Sequence, residues 1–136
     1  TVFGGKQLRP NLHIQDYCDF VEKLIEADSK KISNQIFNVG YQNMSISDIA
    51  NVVKKVVQRE FPELGEIQII TTKSNDDRSY HINSDKVKKI LGFEPVKSVE
   101  DAVIELCNCF KKKLFNNTLE DDFYFNVKRL KNLKVS

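Results

Sequence analysis

Gly4-Gly5-Lys6-Gln7-Leu8-Arg9-Pro10-Asn11-Leu12-His13-Ile14-Gln15-Asp16 holds a turn, a strand and the start of a helix in one run. Val2 and Phe3 lead into it as a strand end, and the two glycines mark the turn that follows. Leu8, Leu12 and Ile14 alternate in part, so Gln7 to Ile14 reads as a strand broken at Pro10, which lacks a ladder N–H. Asp16 reads as a helix N-cap. Behind it Tyr17, Phe20, Val21, Leu24 and Ile25 recur at helical spacing, ending near Asp28.

Downstream, strands and helices continue to alternate. Ile36-Phe37-Asn38-Val39 is a short apolar run closed by Gly40 and predicts a buried strand. Ser45 or Ser47 caps a helix whose apolar stripe is Ile49, Val52, Val53, Val56 and Val57, with Pro62 and Gly65 ending it. Ile67 to Thr72 is rich in β-branched residues and predicts a strand. A polar loop follows at Ser74 to Arg78. Ser84 caps a helix over Asp85 to Leu91, stopped by Gly92. Ser98 opens another, with Val99, Ala102, Val103, Leu106 and Phe110 on one side. A short helix or extended arm is expected from Phe123 to Leu133. The order predicts an α/β fold: a small mixed sheet with several helices around it.

Composition narrows the function classes. The 136 residues are 40% hydrophobic and 29% charged with a net charge of +2, ordinary values for one globular domain. That charge is too small to argue for a nucleic-acid partner. No apolar run approaches the roughly 20 residues needed to span a bilayer, so no membrane partner is expected. From Lys111 onward the charge is uneven: Lys111, Lys112, Lys113, Lys128, Arg129, Lys131 and Lys134 face Glu120, Asp121 and Asp122. Residues 116–136 read as a basic C-terminal tail with a solvated helix face, after a lobe over 1–115. Cys18, Cys107 and Cys109 do not form a disulfide framework, which suits a reduced, cytoplasmic protein. Metal-ligand spacing is missing from these cysteines and from His13 and His81, so no metal site is expected.

Three segments carry the chemistry: Gly4 to Asp16; Ile36 to Gly40 with Met44 to Ala50; and Asp76-Asp77-Arg78-Ser79-Tyr80-His81-Ile82-Asn83-Ser84-Asp85-Lys86, leading into Ile90 to Pro95 and Ser98 to Asp101. In this order and spacing the series, from about Gly4 to Phe110, resembles the C-terminal part of extended short-chain dehydrogenase/reductases. The third segment is most similar to nucleotide-sugar 4,6-dehydratases and related epimerases. The resemblance implies a substrate-binding lobe of a Rossmann-type enzyme without its dinucleotide-binding core. It implies that Arg9 and Arg78 reach the diphosphate of a nucleotide-sugar, with Gln7 and Asn11 lining the path. A guanidinium is always charged and binds phosphate oxygens in pairs, which suits that role.

In such enzymes NAD takes a hydride from the sugar and returns it, held by a glycine-rich turn at a helix N-terminus. No GxGxxG occurs in these residues, and Thr1 stands where a natural start would carry Met. The chain therefore reads as a fragment whose parent uses NAD, inactive without an N-terminal NAD-binding domain. No residue in it is assigned as catalytic. Tyr124 and Lys128 make a YxxxK string like the family's catalytic pair. It lies after the substrate segments rather than before them, and reads as a chance match in which Tyr124 packs the tail. A non-catalytic interaction module derived from the same fold is the alternative. Its apolar surface toward a cofactor domain would then drive self-association into a homo-oligomer.

Overall fold

The computed structural model describes residues 1–76 and 78–133. They form two compact units, Thr1–Glu105 and Leu106–Ser136. The fold is mixed α/β. In the first unit β1 (Val2–Phe3) runs parallel to β4 (Thr71–Thr72), and β2 (Leu8–Asn11) runs antiparallel to β3 (Gln42–Ser45). Around these two ladders lie α1 (Ile14–Glu26), α2 (Ser29–Ile32), α3 (Ile46–Glu60) and α4 (Asp85–Leu91). They are followed by α5 (Val99–Lys111) and α6 (Asn126–Asn132).

Pro10 sits inside β2 without breaking it. Leu8 turns its backbone away from β3, donating to Ser79 Oγ at 3.2 Å and accepting from the Tyr80 amide at 3.1 Å. Period two places the Pro10 nitrogen on that same outer side, where no ladder bond is lost. The partner strand β3 was not legible in Gln42-Asn43-Met44-Ser45, a largely polar run that becomes a strand only through its register with β2.

Two expected strands are corrected. Ile36 to Val39 forms no strand; Ile36 is 82% exposed, while Phe37 and Val39 pack on the core. Ile67 to Thr72 contributes only its last two residues to a ladder. A β-branched run fixes extended backbone, but a strand also needs a neighbour.

Asp16 is not the N-cap of α1. His13 is: its Nδ1 accepts from the Gln15 amide at 3.1 Å. Asp16 is buried in the first turn and accepts from the Lys97 amide at 2.9 Å and the Val96 amide at 3.2 Å, pinning the loop before α5. Ser84 occupies the cap position of α4, yet its hydroxyl bonds to the Gly40 amide and carbonyl instead. Asn83 Oδ1 takes the Asp85 amide. Ser45 caps α3, with its Oγ on the Asp48 amide at 3.0 Å, as one of the two expected serines. Gly92 closes α4 in the left-handed conformation, as expected.

Phe20, Val87 and Leu91 form the core, with Leu24, Phe37, Val39 and Phe93 packed on them. The apolar residues of α1 divide between two faces. Phe20 and Leu24 turn inward, whereas Ile14, Tyr17, Val21 and Ile25 are exposed along the other face. In the second unit Phe115 meets Phe110 and Tyr124 edge-on, at ring centroids of 5.2 and 6.3 Å. Tyr124 is thus a packing residue, and Lys128 Nζ bonds to the Glu120 carbonyl.

Candidate functional site

Arg9 and Arg78, far apart in sequence, come together around one carboxylate. Register places Arg9 in the middle of β2, opposite Met44. Its Nη1 donates to its neighbour's Leu8 carbonyl at 2.9 Å and to the Arg78 carbonyl at 2.6 Å, and its Nη2 lies 3.4 Å from Asp76 Oδ2. Arg78 grips the same carboxylate in bidentate fashion, Nε to Oδ1 at 2.7 Å and Nη2 to Oδ2 at 2.9 Å. The Tyr80 ring lies under the Arg9 guanidinium, 5.3 Å from centroid to Cζ. Among the described residues, two cations and one anion leave the cluster net positive.

Titration follows this geometry. The hydrogen bond from the Arg78 side chain, with further help from its backbone amide, lowers the Asp76 carboxyl to about 2. The reciprocal hydrogen bond raises Arg78 above its ordinary range. Asp76 and Arg78 therefore stay charged at neutral pH. Exposed ion pairs of this kind are screened by water and contribute little to stability, so the cluster is better understood as arranged charge than as a structural clamp.

Gln7 and Asn11 face inward to the backbone. Buried Gln7 accepts from the Gly5 amide through Oε1 at 2.6 Å and donates from Nε2 to the Asp76 carbonyl at 2.8 Å. It thereby ties the glycine turn to the loop that carries Asp76. Gly4 has φ +80°, and a Cβ there would run into the Gln7 amide, so both chirality and space require glycine. Asn11 spends its Nδ2 on the carbonyls of Arg9 and Gln42 at 2.8 and 3.1 Å. A shallow hollow of about 330 Å³ is lined by Gly4, Gly5, Lys6, Gln7 and Ser79. Asp77 lies outside the described residues.

Sequence reasoning singled out both arginines but gave no role to Asp76 or Ser79. The available signal was a carboxylate two residues before an arginine, at the spacing of an Asx turn: Asp76 Oδ1 does accept the Arg78 amide at 3.2 Å.

The described residues do not fit NAD. Gly4 and Gly5 open no helix, and the space a Cβ would take at each is filled by the side chains of Gln7 and Ser47 rather than left for a pyrophosphate. The first turns of α1 and α3 are capped by His13 and Ser45, and that of α4 by Asn83. Among the described residues no group of three or more His, Cys, Asp or Glu is placed to hold a metal, and no helix is long and apolar enough to cross a membrane.

No family model matches the chain. It is 29% identical over 112 residues to the dTDP-glucose 4,6-dehydratase of Xanthomonas campestris pv. campestris, covering 76% of this chain and 31% of that protein. It is 28% identical over 115 residues to UDP-glucuronic acid decarboxylase 1 of Xenopus tropicalis, covering 84% and 26%. The UDP-glucose 4-epimerase of Thermotoga maritima, solved with UDP-glucose, superposes with a TM-score of 0.66 at 19% identity, over 85% of this chain and 35% of the other. These proteins are extended short-chain dehydrogenase/reductases, and the chain is similar to their C-terminal part. It spans about a third of the length of the curated relatives it matches. The L-threonine dehydrogenase of Phytophthora infestans shares the short-chain dehydrogenase/reductase fold at a TM-score of 0.60 and 12% identity. That breadth means that the fold does not choose a substrate.

Proposed function

We propose that this chain is a substrate-binding lobe for a nucleotide-diphospho-sugar, in an epimerase or 4,6-dehydratase that uses NAD bound outside these residues. The carrying observation is the convergence of Arg9 and Arg78 on one anion at the edge of β2. Two guanidiniums that share one carboxylate can between them take the two phosphates of a diphosphate bridge, whose oxygens accept from planar forks in pairs. Binding energy from the nucleotide end then positions a sugar for reaction elsewhere in the enzyme. The relatives named for dTDP-glucose and UDP-glucuronic acid support this substrate class.

Calorimetric titration with UDP-, GDP-, CDP- and dTDP-sugars tests the reading. The expected result is saturable binding of at least one, lost in the Arg9→Ala, Arg78→Ala double variant. Equal binding by the double variant contradicts it.

A second reading, a non-catalytic interaction module, draws on the exposed apolar face of α1 formed by Ile14, Tyr17, Val21 and Ile25. Concentration-dependent self-association in sedimentation, without nucleotide-sugar binding, would favour it.

A further inference from the structure

We propose that Asp76 sets the specificity of this site as a resident competitor: its carboxylate occupies the phosphate seat on Arg78 and Arg9, and a diphosphate binds by displacing it. This rests on the reading of the arginine pair as a diphosphate grip.

The geometry of the seat is that of anion recognition. A carboxylate presents two oxygens to a guanidinium much as a phosphate does, and Asp76 takes the Nε and Nη2 edge of Arg78 at 2.7 and 2.9 Å. On the Arg9 side it makes a single, longer contact of 3.4 Å. One carboxylate therefore satisfies one fork well and the second poorly. A diphosphate has oxygens enough for both.

The backbone of residue 76 is held independently of that carboxylate. Its carbonyl accepts from Gln7 Nε2 at 2.8 Å, and its amide donates to Ser74 Oγ at 3.0 Å. Side-chain rotation can thus release the carboxylate from both guanidiniums, and from the Arg78 amide it also accepts, while the backbone of residue 76 stays anchored, with Gln7 as the positioning residue. The ion pair is largely solvent-exposed, Arg78 at 72% and Asp76 at 40%, so water takes over both partners as they separate.

Selectivity follows. A singly charged anion exchanges one carboxylate-like contact for another and gains little. A ligand with two adjacent phosphates gains Arg9 as well. Asp76 thereby raises the threshold for binding and favours diphosphates over monoanions.

The test is titration of the 136-residue chain with inorganic pyrophosphate, UDP-glucose and dTDP-glucose. It compares the unaltered chain with Asp76→Asn, Asp76→Ala and the Arg9→Ala, Arg78→Ala variant, each checked for an unchanged circular-dichroism melt. Either folded Asp76 variant serves. Removing the carboxylate is expected to tighten binding about tenfold, the scale of one coupled neighbouring charge. Pyrophosphate separates phosphate recognition from recognition of the base and sugar. Unchanged or weaker binding in the Asp76 variants, with binding still lost in the double arginine variant, overturns the competitor role and leaves the grip standing. Binding that survives loss of both arginines, or its absence from the unaltered chain and the Asp76 variants alike, overturns the grip and the competitor role with it.

Discussion

Asp76 receives hydrogen bonds from both the side chain and the backbone of Arg78, and these hold its carboxyl near 2, well below its ordinary 3.8. A carboxyl depressed in the folded state contributes stability that is fully present above its unfolded value. That contribution is lost as pH falls through the folded value. The Asp76 share is therefore constant from neutral pH down to about 4 and disappears toward pH 2. Carbon-detected NMR of the Asp76 carboxyl should give a midpoint well below those of unpaired aspartates, and Arg78→Ala should return it toward the ordinary range. An ordinary midpoint in the unaltered chain would contradict the bidentate pair. The two arginines were singled out through the family resemblance, which matches each to a motif position, and a guanidinium suits anions. Their partner was missed, because the local sign, a carboxylate two residues before an arginine, points to an Asx turn and not to Arg9 until the loop folds back on β2.

Elements divide by how local their causes are. Helices were legible because spacing and caps lie within a few residues: α3 has Ser45 before it and Pro62 after it. Substituting Ser45→Ala removes the acceptor of the Asp48 amide and should lower stability by about 1 kcal/mol in urea unfolding. No change would mean that the cap is dispensable. Strands were legible only where pairing agreed with composition. Ile36 to Val39 carries strand residues without a partner, while Gln42 to Ser45 carries polar residues and pairs fully with β2. The cap of α1 was misplaced by three residues for a similar reason. Asp16 is the better cap by residue type, but its carboxylate is drawn into a long-range contact with residues 96 and 97, leaving His13 to cap.

The chain as a whole divides into Thr1–Glu105 and Leu106–Ser136, each with its own internal contacts. The first holds the buried core around Phe20, Val87 and Leu91, and both arginines of the site. The second has an aromatic cluster, with Leu119, Phe123, Val127 and Leu133 all more than half exposed. Lys111, Lys112 and Lys113 are exposed at the end of α5, and Lys113 adopts φ +54° in the turn that follows. Brief trypsin treatment should cut there first and leave a resistant N-terminal product, since cleavage favours exposed turns outside packed elements. First cuts within α3 or α4 would contradict that order of stability.

The arginine grip itself is tested most directly by the arginine Nε–Hε signals in a nitrogen–proton correlation spectrum. The chain has four arginines, and Arg59 and Arg129 are paired with acidic side chains of their own, Glu100 and Asp122. On titration with dTDP-glucose or UDP-glucose, the signals of Arg9 and Arg78 should move together and saturate at one stoichiometry, while those of Arg59 and Arg129 stay in place. Signals of Arg9 and Arg78 that remain fixed as ligand binds, or four that drift alike without saturating, would contradict a diphosphate site at this pair.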